Sequence, residues 1–238
     1  MKKEKLLDSI NPMFLKGIAH RGLFNSNDIE NGKQAFINAI TNNIAMEFDV
    51  HLTKDNNLVV IHDTSLKRVT NKDGIVEELT LKEIKENYKL LNGEEIMTFD
   101  ELLKLVDERV GIVVELKSYK RNSLMLAKRV NESLKVIKNK KNVILISFYP
   151  LALMYFKNKG YVRQLLISKK NSYMQIFKYF FEGIDVEYEL LNKGYVKRFA
   201  KNHLINVYTI DTLDMLNKTM NKCDMITFQN LPISYFKK

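Results

Sequence analysis

The chain has no tryptophan, one cysteine, three prolines and nine glycines in 238 residues, and each scarcity closes off a class of protein. A lone Cys223 allows no internal disulfide and no cysteine-based metal cluster, and its plainer role is a buried strand residue rather than a nucleophile. Few prolines and glycines leave few hinges or linkers, and there is no low-complexity tract or internal repeat of fixed period. Long apolar runs are missing too. The longest uncharged stretch, Asn142 to Phe156, contains Pro150 and falls short of the roughly 20 apolar residues that a spanning helix needs. Met1 to Ser9 is charged, and no h-region of secretory length follows it. The expectation is a soluble cytoplasmic protein.

A length of 238 residues with 45% hydrophobic side chains suits one barrel-sized domain, 1–238, better than two small ones. The net charge of +10 raises nucleic acid or an anionic membrane as partners. The lysines are scattered along the chain rather than gathered in a block, so a solvated basic surface is the preferred reading and no nucleic acid is expected. Attraction of phosphate-bearing substrates, or a weak anionic membrane contact, remains compatible with that charge.

After a charged lead-in, Gly17 to His20 reads as a first strand, a polar loop follows at Leu23 to Ile29, and Glu30 to Asn43 carries Ala35, Phe36, Ala39 and Ile40 at helical spacing. Ile44 to Val50 is the second strand. The turn cluster Asp55-Asn56-Asn57 makes a hairpin-like excursion that returns to Val59, an irregular stretch follows at Ser65 to Gly74, and Thr80 and Thr98 each open a helix as N-caps with Glu83 and Glu101 as capping-box partners. Strand-like segments then recur at Gly111 to Leu116, Val143 to Phe148, Gln164 to Ile167, Ile184 to Val186, Ile205 to Tyr208 and Met225 to Thr227. Helix-length segments separate them: Ser123 to Lys138, Leu151 to Lys159, Tyr173 to Phe181, Leu190 to Lys201 and Thr212 to Met220. Eight strands in regular alternation predict an α/β chain folded as a single (β/α)8 TIM barrel, with a small excursion between strands two and three.

The stretch from Gly17 to Asp63 concentrates the chemistry. Glu47 and Asp49 are two apart in a strand, so both carboxylates project from one face and repel. A hard cation such as Mg²⁺ or Ca²⁺ is the simplest remedy, since it takes carboxylate oxygens. His20 and His62 each end an apolar run beside a charged neighbour, Arg21 and Asp63, and a pair of histidines can act as acid and base near neutral pH. Glu115 and Lys117 are again two apart. A carboxylate flanked by Val113, Val114 and Leu116 is costly to bury without a partner, and a metal shared with Glu47 and Asp49 resolves both problems.

H-R-G at His20 to Gly22, E-N at Glu30 and Asn31, E-F-D-V-H-L-T-K-D from Glu47 to Asp55, V-V-I-H-D ending at Asp63, and V-V-E-L-K from Val113 to Lys117 together resemble the glycerophosphodiester phosphodiesterases, over roughly the first half of the chain. The resemblance implies hydrolysis of glycerophosphodiesters, as small-molecule substrates, to glycerol 3-phosphate and an alcohol. It implies one divalent cation, Mg²⁺ or Ca²⁺, on Glu47, Asp49 and Glu115, with His20 and His62 as general base and acid in an order left open. Arg21 and Lys117 would bind the phosphate, and Glu30 and Asp63 would support the site. Gly32 stands where the family's E-N-T motif has Thr. Tyr208-Thr209-Ile210-Asp211 replaces a W-T-V-N-like strand and Thr227-Phe228 a T-D, which puts the alcohol specificity in question. His51, two beyond Asp49, reads as structural, with an additional ligand as the lesser alternative, and His203 as a surface or capping residue; the aromatics of Tyr173 to Phe181 read as a helical core stripe, with a lipid-contacting surface as the lesser alternative. Other readings kept in view are a lysophospholipase D or phospholipase C-like lipid phosphodiesterase and a catalytically silent phosphate-binding barrel, as monomer or homodimer.

Overall fold

The computed structural model describes residues 3–236, so Met1 and Lys2 of the charged lead-in, with Lys237 and Lys238, lie outside it. Its strands are β1 Ile18–Ala19, β2 Ala45–Leu52, β3 Leu58–Val60, β4 Ile112–Leu116, β5 Val143–Ser147, β6 Val162–Ile167, β7 Gly183–Glu187, β8 Leu204–Ile210 and β9 Met225–Phe228. Eight of them run parallel and close into a barrel, because β1 pairs with both β2 and β9. β3 is antiparallel and pairs with β2, forming the excursion beyond the Asp55-Asn56-Asn57 turn. This is the expected (β/α)8 TIM barrel.

The eight residues of β2 are all buried, which follows from a barrel wall covered on both faces. Met46, Phe48, Val50 and Leu52 face the helices, and Phe48 sits 5.9 Å from the Phe36 ring and 5.8 Å from that of Phe99. The alternate residues Ala45, Glu47, Asp49 and His51 project to the other face. The lower barrel is filled by apolar side chains including Ala45, Val113, Ile144 and Val162, joined by Leu6, Ile10 and Phe14 from the lead-in. With that half filled, polar inward residues collect toward the strands' C-terminal ends.

The helix predicted from Glu30 runs over Lys33–Thr41 and buries Ala35, Phe36 and Ala39 as its spacing required. It starts late because Gly32 at its N-cap has no side chain to offer. Its first amides donate instead to Glu94, at 2.6 Å from Lys33 N and 3.2 Å from Gln34 N. Both predicted capping boxes are formed, at Thr80 with Glu83 and Thr98 with Glu101. The excursion between β3 and Thr98 is larger than a loop. It packs its own apolar cluster around Val59, Ile61, Leu66, Val69, Ile84 and Leu90, and the stretch read as irregular contains a short helix, Lys67–Thr70.

Other differences are of extent. The helix read over Leu151 to Lys159 is Pro150–Met154, that over Leu190 to Lys201 is Gly194–Phe199, and Cys223 is half-buried just before β9 rather than within it. Among the described residues, no helix is long and apolar enough to cross a membrane.

Phe48→Ala is expected to cost about 3–5 kcal/mol in urea unfolding, because it empties a fully buried site between two rings. Thr80→Ala, losing only an exposed cap, is expected to cost about 1 kcal/mol. Equal losses would contradict this assignment of the core.

Candidate active site

The pairing of β2 with β4 sets Asp49 beside Glu115 and Glu47 beside Val113. Oxygens of Glu47, Asp49 and Glu115 come within 4.8 Å of one another, and all three residues are buried. Burial, then repulsion from Asp49 and Glu115, holds the Glu47 carboxyl well above its ordinary pKa. Burial likewise pushes Glu115 up to about 7, although Lys117 pulls the other way. Asp49 is the exception: burial favours its neutral form, but Lys117, His62, Arg21 and Asn31 outweigh that and hold it well below the usual range. The Lys117 ammonium lies 2.7 Å from Glu115 Oε1 and 3.0 Å from Asp49 Oδ1. Those carboxylates raise its pKa against the burial that would lower it. Asp49 Oδ1 nonetheless accepts no hydrogen bond, so Lys117 neutralises it without satisfying it.

His20 follows β1 directly. Its Nδ1 lies 2.8 Å from Gln229 Oε1, an acceptor, so Nδ1 donates and Nε2 keeps its lone pair, 3.9 Å from Glu47 Oε2. Burial, then the positive charge of Arg21, lowers its pKa to about 4. His62 follows β3 and lies on the same cavity. Its Nδ1 is 2.6 Å from Asp63 Oδ1, which likewise frees Nε2. Burial lowers its pKa, while Asp49 and Asp63 act against that shift.

The H-R-G turn is shaped by backbone demands. Gly22 has φ +84°, and a Cβ there would meet Ala35 Cβ at 2.9 Å, so the position takes glycine. Arg21 and Asn31 both have φ 56°, in the left-handed region. The Arg21 amide donates to Glu47 Oε2 at 3.0 Å and its guanidinium to Glu30 at 2.8 Å, with Nε 3.6 Å from Asp49. Asn31 Nδ2 donates to Asp49 Oδ2 at 2.9 Å.

Arg68, in the excursion, joins Glu30 to Asp63, and with Arg21 it outweighs the burial that would otherwise raise the Glu30 carboxyl. His51 bridges Glu77, at 2.6 Å, and the His62 carbonyl, at 3.0 Å, and so braces the His62 loop from below. All nine predicted site residues therefore gather at one end of the barrel. The Arg68 and His51 links were not foreseen, because Arg68 and Glu77 lie in the excursion, far in sequence from Glu30 and His51, and carry no local signal.

A cleft of about 460 Å³ opens over the site between His62, Glu115, Lys117, Phe148, Lys170 and Tyr173. A narrower chamber of about 160 Å³ descends among His20, Glu47, Phe148, Asp185, Tyr208 and Thr227. Tyr208, Thr209 and Thr227, from the two C-terminal stretches where the family pattern departs, line the chamber. Asp185, pushed up to about 8 by burial, was not singled out from sequence. It accepts from Asn206 at 2.9 Å, while its other oxygen lacks a partner among the described residues. A larger cleft of about 570 Å³ beside Leu103, Arg129 and Ile137 brings together none of the carboxylate and histidine residues of the site.

Comparison with known proteins agrees with this geometry. Residues 20–225 match the model of the glycerophosphoryl diester phosphodiesterase family. A glycerophosphodiester phosphodiesterase of Bacillus altitudinis is 33% identical over 152 residues, which are 59% of this chain and 61% of that protein. The crystal structure of a glycerophosphodiester phosphodiesterase from Parabacteroides distasonis superposes with a TM-score of 0.77 at 27% identity, over 92% of this chain and 94% of that one. An Oleispira antarctica phosphodiesterase, solved in complex with the product sn-glycerol-3-phosphate, has the same fold, with a TM-score of 0.79 at 23% identity and the same coverage of each chain. With the family match spanning both histidines and all three carboxylates, the chain belongs to the glycerophosphoryl diester phosphodiesterase family.

Proposed function

We propose that this barrel, acting as a single domain, hydrolyses small glycerophosphodiesters to glycerol 3-phosphate and an alcohol. The observation that carries the reading is a cluster of three buried carboxylates, two of which, Glu47 and Glu115, line one cavity together with His20 and His62 and their free imidazole Nε2 atoms. The glycerol 3-phosphate bound by the Oleispira antarctica phosphodiesterase supports the product class.

The carboxylate set fits one hard divalent cation, Mg²⁺ or Ca²⁺. Its donors are all oxygens, Asp49 Oδ1 is buried without a hydrogen bond, and burial, then repulsion from Asp49 and Glu115, raises the pKa of Glu47, a cost that a cation would relieve. Glu47, Asp49 and Glu115 would hold that cation, which when bound supplies Lewis acidity toward a phosphodiester oxygen. Arg21 and Lys117 bind the phosphate as cations, and Glu30 fixes the Arg21 fork for that purpose. His20, kept neutral by burial and by Arg21, takes a proton at Nε2 from the attacking water, or from a glycerol hydroxyl whose cyclic ester water then opens. His62, its Nδ1 held by Asp63 and its Nε2 turned to the cavity, delivers the proton to the leaving alkoxide; burial lowers its pKa, and Asp49 and Asp63 oppose that shift.

Incubation with EDTA is expected to abolish release of glycerol 3-phosphate from glycerophosphocholine, with recovery on adding Mg²⁺ or Ca²⁺. Undiminished activity after chelation would sink the metal assignment. His20→Ala and His62→Ala are each expected to lower kcat about 10²- to 10⁴-fold with the fold intact. On a diester with a nitrophenol leaving group, which needs no protonation, His62→Ala is expected to recover most of its rate and His20→Ala none. The opposite pattern would exchange their roles.

The base acts in its deprotonated form, and a pKa lowered from 6.5 to about 4 keeps that form present at lower pH. The acid limb of kcat/KM should therefore fall between those two values. Measured at saturating divalent cation, so that Glu47 and Glu115 are already ionised, a limb above 6.5 would remove His20 as the base.

A further inference from the structure

The segment after β6 contradicts its reading as a helical core stripe. Ser172–Phe180 is a 3-10 helix nine residues long, well beyond the usual three or four. At three residues per turn, positions three apart eclipse, so the segment sorts into three rows. Tyr173, Ile176 and Tyr179 form the outer row and are 65%, 67% and 61% exposed, and Phe180 beside them is 59% exposed. Met174 and Phe177 turn toward the core, and Lys178 is buried. Four large apolar side chains thus face outward within eight residues, a density that soluble surfaces rarely carry without a partner.

Charge narrows what that partner is. The stretch from Ser168 to Phe181 contains Lys169, Lys170 and Lys178 and no acidic residue. Of the nearby acids, Glu182 is paired with Arg163, Glu187 accepts the Lys169 amide, and Glu189 pairs with the Lys169 ammonium, which leaves Lys170 as the free charge of the stretch among the described residues. Tyr179 packs on Phe199, 5.4 Å between ring centroids, which brings the helix Gly194–Phe199 with its exposed Lys197 and Arg198 alongside the row. Tyrosines and an isoleucine set among lysines suit the boundary between lipid headgroups and acyl chains, where aromatic rings settle and basic side chains meet anionic lipid. The row also has a fixed relation to the site, since Lys170, Tyr173 and Met174 line the same cleft as His62, Glu115 and Lys117.

We propose that Tyr173, Ile176, Tyr179 and Phe180, flanked by the exposed Lys170, Lys197 and Arg198, form a face that docks on an anionic lipid bilayer with the mouth of the active-site cleft beside it. The inference rests on the phosphodiesterase reading only for the identity of that cleft, since docking requires no catalysis.

Co-sedimentation with large vesicles tests it, using phosphatidylcholine containing about one third phosphatidylglycerol beside phosphatidylcholine alone. The wild type is expected to sediment with the anionic vesicles and to be released at about 0.5 M salt, where charges are screened within a few ångström. The double variant Ile176→Asp with Phe180→Asp, whose sites lie outside the cleft, is expected to bind roughly tenfold more weakly. It should keep the wild-type circular dichroism melt and the wild-type turnover of soluble glycerophosphocholine.

Equal sedimentation of variant and wild type, or none by either, would overturn the proposal. So would a wild-type dimer in analytical ultracentrifugation that the variant dissolves, which would assign the face to a second copy of the chain. Vesicle binding without turnover of any diester would instead count against the phosphodiesterase reading and leave docking standing.

Discussion

Three carboxylates held within 4.8 Å of one another inside a barrel are the constraint on which the rest of this site depends. In an interior of low polarity their repulsion is large, and it is visible in Glu47 and Glu115, both driven toward the neutral form by burial and by their neighbours. Positive charge is correspondingly packed against them. Lys117 spans Asp49 and Glu115, while Arg21 contributes its amide to Glu47 and its guanidinium to the edge of Asp49. These arrangements balance charge, yet Asp49 Oδ1 stays without a hydrogen bond. A site built of hard oxygen donors around such an atom has the chemistry of a cation cage.

A second layer keeps the first in place, and it comes almost wholly from the excursion that interrupts the barrel rhythm. Arg68 ties Asp63 to Glu30, and Glu30 in turn holds Arg21. Glu77 and the His62 carbonyl clamp His51, so the loop carrying His62 is fixed to β2 from beneath. Glu94 supplies the missing cap of the helix behind the H-R-G turn. The excursion can support these side chains because it has an apolar cluster of its own around Val59, Leu66 and Ile84.

The two ends of the barrel divide the labour. Leu6, Ile10 and Phe14 close the N-terminal mouth with apolar bulk, which leaves the opposite mouth to the polar groups. There the chamber beneath the carboxylates narrows between Phe148, Tyr208 and Asp185, and the cleft above widens toward Lys170 and Tyr173.

The alternation of apolar segments in the sequence was enough to determine a barrel of eight parallel strands, and period-two spacing was enough to place Glu47 with Asp49 and Glu115 with Lys117 on common faces. Both are local properties of a pleated chain, so they are legible without knowing what lies nearby. The capping boxes at Thr80 and Thr98 were readable for the same reason. Which strands become neighbours is a tertiary matter, and only the register of β2 on β4 brought Asp49 against Glu115. The links from Arg68 to Glu30 and from His51 to Glu77 cross 38 and 26 residues, and no periodicity reports contacts at that range. Ser172–Phe180 marks the limit most plainly. Its aromatic spacing fits a buried α-helical stripe, but the chain winds at three residues per turn, and that change of pitch turned Tyr173, Ile176 and Tyr179 outward.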